Sequence, residues 1–184
     1  YTSVDQNHAE PVLRLFESRT GIEVRPVYDV EAAKTVGLAN RLAAEMHNPQ
    51  ADVFWNGEII HTLALENKGV IASGSPFGGR GRILLVNTNL VRNSMPVSVM
   101  DLVSGRWPAD KIAIGHPLFG TSLTHAGALY SILGREKARS FYRQSRDLGI
   151  RVVDGNSVGR DLVANGQVWI GLTDTDDAMG AIRA

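Results

Sequence analysis

Five short clusters of polar side chains carry most of the chemistry that this sequence could perform. Each cluster follows a short apolar stretch and precedes a stretch with helical spacing, and the clusters occupy residues 1–5, 28–31, 55–58, 120–124 and 173–177. In an open parallel sheet, ligands bind at the carboxyl ends of the strands. Helices that begin there present free N–H groups and the positive end of their dipole. Clusters that converge on one crevice would therefore form a site for a polar ligand.

The last cluster concentrates negative charge. Asp174, Asp176 and Asp177 follow the apolar residues 168–172. Three carboxylates this close in the chain repel one another unless a positive group lies near them. That group could be a helix N-terminus, a bound cation or the ammonium group of a ligand, and the sequence leaves all three open.

Anion chemistry is indicated at two other places. Gly120, Thr121 and Ser122 open a predicted helix, where hydroxyls either cap the helix or join its free N–H groups in binding a phosphate, phosphonate or carboxylate. Arg80 and Arg82 precede an apolar strand. They are either solvated loop cations or one of them makes a bidentate contact with an anionic oxygen pair.

Little in the sequence favours catalysis. The chain has no cysteine, which excludes thiol catalysis, disulfides and zinc–thiolate sites. Its five histidines have no metal-ligand spacing, and no Ser/His/Asp arrangement stands out. We therefore expect no enzymatic activity. An enzyme on the same scaffold remains the alternative, with His125 and Asp176 as the candidates for a base or nucleophile.

Strand and helix patterns alternate along the chain. This alternation predicts an α/β fold with mostly parallel sheets and helices on both faces. The predicted strands are residues 22–28, 51–55, 82–87, 111–115, 150–154 and 168–172, and the predicted helices are residues 11–19, 34–46, 58–68, 122–133, 135–148 and 158–165.

The composition limits the partners. Lys plus Arg and Asp plus Glu balance at 19 each, so no global charge favours nucleic acid or an anionic membrane. The chain contains no run of 18 apolar residues, which is about the length that a membrane-spanning helix needs. The chain begins with Tyr1 rather than Met. We therefore expect a processed or trimmed chain that lacks its signal segment. A leader or a lipoprotein tether would once have preceded Tyr1.

Eight segments of the chain occur in an order that is informative: residues 1–5, 9–13, 16–22, 27–31, 34–38, 48–56, 79–88 and 165–177. Taken together, they resemble the ferric-ion-binding class of periplasmic proteins from ABC importers, in the extracellular solute-binding family 1. The resemblance implies a two-lobed type II periplasmic binding protein that closes on its ligand by hinge bending and docks on a membrane permease. It implies a first lobe over residues 1–79, a crossover strand over 80–88 and a second lobe over 89–184, with the ligand in the cleft.

The resemblance also implies roles for particular residues. Arg80 matches an anion-binding arginine, and Thr121 and Ser122 match the helix start that holds a synergistic anion. Asp176 and Asp177 stand where the iron-binding members carry a pair of tyrosines. The full set of expected ligand contacts is Ser3, Tyr28, Glu31, Asn56, Glu58, Arg80, Gly120, Thr121, Ser122, Asn156, Ser157, Asp174 and Asp176, and the expected metal ligands are Asp176, Asp177 and Glu58.

Two ligand classes remain open. Carboxylate oxygens suit a hard cation, which fits ferric iron with a synergistic anion. The aspartates could equally bind the ammonium of a zwitterion such as 2-aminoethylphosphonate, while Arg80 and the Thr121 loop bind its anionic group. Family members are longer near Pro76 and after Asp177, so we expect the C-terminal portion to be lacking. The chain would be a monomer, or a dimer if that truncation exposes apolar surface.

Overall fold

The computed structural model describes residues 1–29, 35–118 and 120–183. The chain divides into two compact units. Unit 1 comprises Tyr1–Pro76 with Phe119–Thr124, and unit 2 comprises Phe77–Leu118 with His125–Ala184. Among the described residues, no helix is both long and apolar enough to cross a bilayer.

Within its described residues, unit 1 contains three complete helices and three short extended segments that meet at Thr2. Thr2 forms single parallel bridges with Tyr28 and with Trp55. The backbone N–H of Thr2 donates to the carbonyl of Val27 at 2.9 Å, and that of Trp55 donates to the carbonyl of Tyr1 at 2.9 Å. The helices are α1 (Gln6–Thr20), α2 (Val36–Ala44) and α3 (Ile59–Asn67).

The prediction of full strands over residues 22–28 and 51–55 is wrong, because only one residue of each forms a bridge. A side chain takes the place of a strand neighbour in the first segment: the N–H of Val24 donates to Glu17 Oε1 at 2.8 Å. Pro26 has no N–H to donate. The segment is therefore extended but not part of a sheet ladder.

Unit 2 is built on a four-stranded sheet with the order β1-β4-β2-β3. Strand β2 pairs in parallel with both β3 and β4, as the α/β prediction requires. Strand β1 runs antiparallel to β4, so Arg82 at the start of β1 lies opposite Asp174 at the end of β4. The strands are β1 (Arg82–Val86), β2 (Ile112–Gly115), β3 (Arg151–Val153) and β4 (Ile170–Asp174).

Helices cover this sheet. The core between them contains Phe141, Leu102, Ile112 and Ile170, all of which are almost fully buried. The helix predicted to follow the polar cluster at residues 173–177 is α7, and Asp176 and Asp177 occupy its first turn, where acidic residues are a start signal. The helices are α4 (Gly120–Leu133), α5 (Arg135–Leu148), α6 (Asn156–Ala164) and α7 (Thr175–Arg183), with 3-10 turns at Val99–Val103 and Ala109–Lys111.

A glycine lets α6 approach β4 closely. A Cβ atom on Gly171 would lie 3.0 Å from Val163 Cγ2 and 3.5 Å from the carbonyl oxygen of Gly159. Both neighbours belong to α6, so a side chain at this position would require the Val163 side chain or the helix to shift. The close packing holds Asn156, the first residue of α6, beside the end of β4. The expected lobe boundaries and the crossover role of residues 80–88 stay predictions.

Candidate functional site

The charged cluster of unit 2 forms where β1, β4 and α6 meet. Antiparallel pairing brings Arg82 to Asp174, and the start of α6 brings Asn156 to the same point. These residues are up to 92 positions apart in the sequence. The fold therefore brings the last polar cluster together with the arginines of the 79–82 segment and with the predicted contact Asn156.

Asp174 is fully buried, and both of its carboxylate oxygens accept hydrogen bonds. Arg82 Nη1 donates to Oδ1 at 2.8 Å, and Asn156 Nδ2 donates to Oδ2 at 2.9 Å. Arg82 Nη1 also donates to Asn156 Oδ1 at 2.7 Å, which closes the triangle. A buried carboxylate with a guanidinium and an amide on its oxygens has its charge compensated. Asp174 thus anchors the cluster rather than presenting free oxygens to a solute.

Asp176 and Asp177, in the first turn of α7, are more open than Asp174. Asp176 is 53% exposed, and its Oδ2 lies 3.1 Å from Nη1 of Arg80, which is 37% exposed. Asp177 Oδ1 lies 3.5 Å from Arg160 Nη1. Burial, with Asp176 nearby, raises the pKa of Asp177 above its usual value. Arg80 and Asp176 therefore form the accessible ion pair of the cluster.

The three aspartates have a spacing that suits one cation. One oxygen from each of Asp174, Asp176 and Asp177 lies within 4.8 Å of the other two. Three carboxylates suit a hard metal ion. A metal on Asp174 would compete with Arg82 and Asn156 for its oxygens, and the guanidinium of Arg80 lies 3.8 Å from the same carboxylate. The cluster as it stands is balanced by its own cations.

Unit 1 brings the first, third and fourth polar clusters together around Glu58. Glu58 is 4% exposed, and Thr124 Oγ1 donates to its Oε2 at 2.5 Å. Asn56 Oδ1 accepts from the Glu58 N–H at 2.7 Å, while Ser3 Oγ accepts from the Gly57 N–H at 3.4 Å. Ser3 and Ser122 are also buried. The side chains of the three clusters thus form one polar network within the unit.

The other predicted contacts differ in what surrounds them. The hydroxyl of Tyr28 is buried and makes no hydrogen bond within the described part of the chain, and burial raises its pKa. Gly120 and Thr121 open α4 as predicted, and Ser157 is half-buried next to Asn156 on α6. Glu31 lies outside the described residues.

Two residues beside the cluster were not among the expected contacts. Arg82 is 14% exposed, and only its place opposite Asp174 shows that it pairs with this buried carboxylate. Arg160 carries no sequence signal beyond its charge.

Next to Arg82, a cavity of about 450 Å³ is lined by residues that include His125 and Ser98. Burial, with the nearby Arg82 charge, lowers the pKa of His125 to about 4, so its imidazole is neutral at physiological pH.

Several solved structures with the same fold are bacterial binding proteins. Iron-bound HitA from Pseudomonas aeruginosa matches 95% of this chain with a TM-score of 0.83 at 22% identity, over 61% of its own length. A ferric binding protein from Campylobacter jejuni matches 95%, over 61% of its length, with a TM-score of 0.79 at 18% identity. AfuA from Actinobacillus pleuropneumoniae, with fructose-6-phosphate bound, matches 100%, over 65% of its length, with a TM-score of 0.77 at 15% identity.

These likenesses confirm the type II periplasmic binding protein fold. The chain spans about three-fifths of the length of the structures it matches. No curated protein sequence matches the chain. A family model described as "bacterial extracellular solute-binding protein" matches residues 8–182. This match covers nearly the whole sequence, and the chain therefore belongs to the family of bacterial extracellular solute-binding proteins.

Proposed function

We propose that this chain is the solute-binding component of an ABC importer and that it captures a small zwitterionic or anionic solute. In this proposal it works in the periplasm or outside the cell, and it delivers the solute to a membrane permease. The family membership supports solute binding, while the ligand is argued from the charges of unit 2. Nothing in the proposed role requires a bond to break, so the expectation that the chain is not an enzyme stays a prediction.

The observation that supports this ligand class is the charge balance around Asp174. Three aspartates lie among three arginines, and the one fully buried carboxylate is held by Arg82 and Asn156. A solute with both charges can exchange partners with the exposed Arg80–Asp176 pair without leaving a net charge behind. The anionic group of the solute would bind the Arg80 guanidinium, and its ammonium group would bind the carboxylates of Asp176 and Asp177. The simplest probe of this chemistry is 2-aminoethylphosphonate.

Ferric iron with a synergistic anion is the second candidate. It is favoured by the 4.8 Å grouping of the three aspartate oxygens and by the preference of hard cations for carboxylates. This candidate requires Asp176 and Asp177 to leave Arg80 and Arg160 for the metal. Glu58, the third predicted metal ligand, is held by Thr124 within unit 1. If iron is the ligand, Asp176 and Asp177 would serve in place of the two tyrosine phenolates that the resemblance implies for the iron-binding members.

A thermal-shift screen of chelator-stripped protein separates the candidates. A ligand that binds only the native state raises the melting temperature by mass action. We expect 2-aminoethylphosphonate to raise it and the Arg80→Gln variant to lose most of that shift. Arg92→Gln is the matched control, because the Arg92 side chain bonds, among the described residues, only the nearby carbonyl of Asn89. A shift with ferric iron plus carbonate or citrate, and none with zwitterions or organic anions, would replace the first candidate by the second.

The unit 1 residues have their own test. Ser3, Tyr28, Asn56, Glu58, Gly120, Thr121 and Ser122 stay predicted ligand contacts. The Tyr28 hydroxyl is buried and makes no hydrogen bond within the described residues, so its removal tests this predicted contact without breaking a described hydrogen bond. We expect Tyr28→Phe to weaken the thermal shift by 2-aminoethylphosphonate while leaving the unliganded melting temperature within a degree or two. An unchanged shift would remove Tyr28 from the contacts.

A further inference from the structure

One face of α5 carries a stripe of four arginines. Arg135, Arg139, Arg143 and Arg146 are all exposed. At 3.6 residues per turn they lie within an arc of about 80° and extend about 16 Å along the helix axis. The helix is fixed by its other side, where Ala138, Phe141 and Ser145 are buried. The four side chains, here called the arginine stripe, are therefore held on one rigid surface.

Most of the stripe lacks an internal partner. Arg146 pairs with Asp147, its neighbour in sequence, at 2.7 Å. The side chains of Arg135, Arg139 and Arg143 make no ion pair or hydrogen bond with any described residue. Arg80, Arg82 and Arg160, in the same unit, all pair with carboxylates. Because the chain as a whole has no net charge, the stripe is a local concentration of uncompensated positive charge.

We propose that the arginine stripe is a docking surface for anionic phospholipid headgroups. Arginine binds phosphate oxygens through paired N–H groups, and a straight row of guanidinium groups matches a flat layer of phosphodiesters. The exposed apolar residue of α5, Leu148, lies on the opposite side of the helix from the stripe. Protein interfaces have an apolar centre with a polar rim, which the stripe lacks. Contact with a charged lipid surface needs no such centre.

The test is sedimentation with vesicles at low salt. We expect the chain to bind vesicles of equal parts phosphatidylglycerol and phosphatidylcholine, and not vesicles of phosphatidylcholine alone. Since each basic residue near an anionic surface contributes about fivefold in partitioning, Arg139→Gln/Arg143→Gln is expected to weaken binding about thirtyfold. Raising the salt concentration is expected to weaken binding as well.

Two controls match this variant. Arg19→Gln/Arg25→Gln removes the same charge from exposed positions of unit 1, and Lys137→Gln removes one charge from the opposite side of α5; both should bind nearly as the parent does. Equal binding to both kinds of vesicle, or equal loss in the Arg19/Arg25 control, would overturn the proposal. So would retention on an acidic polypeptide surface, lost in Arg139→Gln/Arg143→Gln, together with no binding to phosphatidylglycerol, since that result would assign the stripe to an acidic protein.

Discussion

At the level of single residues, the charged cluster of unit 2 depends on how one buried charge is compensated. Asp174 is 1% exposed, and its carboxylate faces the Arg82 guanidinium, which is itself mostly buried. Removing one partner of such a pair leaves the other charge buried alone, which is more costly than the pair itself is stabilising. Arg82 and Asp174 therefore matter first for the structure of the site, whereas our proposal assigns ligand binding to Arg80 and Asp176.

We expect Asp174→Ala to lower the free energy of unfolding by about 3–5 kcal/mol, because Arg82 loses its carboxylate in a buried setting. Asp176→Ala, at an exposed ion pair, is expected to cost less than about 1 kcal/mol. Urea denaturation monitored by circular dichroism measures both. Equal effects of the two changes would show that Asp174 is not the anchor of the cluster.

His125 gives the protein a pH dependence. Its pKa is about 4 in the folded chain, against 6.5 for the unfolded residue. Below pH 6.5 the unfolded state takes up a proton that the folded state does not, so this histidine makes stability fall as the pH drops from 6.5 towards 4.

The variant His125→Gln should therefore lose less stability than the parent between pH 7 and pH 4.5, as followed by the melting temperature. The same substitution at the exposed His47 serves as control. A parent and a His125→Gln variant with parallel melting profiles over that range would contradict the low pKa.

At the scale of elements, the packing of α6 on β4 sets the position of Asn156. The strand contributes Asp174 at its end, and the helix contributes Asn156 at its start, so the distance between the two elements determines whether the side chains meet. Gly171 permits that distance, since a Cβ there would lie 3.0 Å from Val163 Cγ2. A residue with no functional group of its own thus holds the site together.

We expect Gly171→Val to lower stability by about 1–3 kcal/mol, the usual cost of overpacking, and to weaken the binding of 2-aminoethylphosphonate because Asn156 moves away from Asp174. The same change at Gly78, where a Cβ would meet nothing within 4 Å, is the control. Denaturation and ligand titration on both variants check this. Unchanged solute affinity in Gly171→Val would separate the helix packing from the site.

Elements with strong patterns could be predicted from the sequence, and elements that depend on distant partners could not. Helix α5 was predicted with its observed bounds because its apolar residues recur on one face and a glycine lies at each end. The predicted strand over residues 22–28 is a single bridge, because Val24 bonds to a Glu17 side chain instead of a strand neighbour. Local patterns do not show which partner a backbone N–H will find.

The same limit applies to the site. The sequence singled out Asp174, Asp176 and Asp177 as one group, and the structure keeps them within 4.8 Å of one another. The sequence could not show that Arg82 pairs with the Asp174 carboxylate. That contact links residues 92 positions apart through an antiparallel pair of strands. The buried anchor and the exposed ligand pair therefore look alike in the sequence and differ only in the fold.

At the scale of the whole molecule, the central claim is that a chain of this family recognises a solute by its paired charges. The family match extends over residues 8–182, and the matched structures include one with iron bound and one with a sugar phosphate bound. The same fold thus holds different ligands, and our proposal assigns the choice in this chain to the residues at the end of β4. Here those residues are aspartates beside arginines.

The most direct test is isothermal titration calorimetry of the metal-free chain with 2-aminoethylphosphonate. Our account predicts saturable binding with one site per chain, weakened at least tenfold by Asp176→Asn and by Arg80→Gln, because each change removes one charge-assisted contact. The Arg92→Gln control should bind as the parent does. No heat of binding with 2-aminoethylphosphonate or with other zwitterions and anions, while ferric iron binds saturably and the complex is lost in Asp176→Asn, would contradict it.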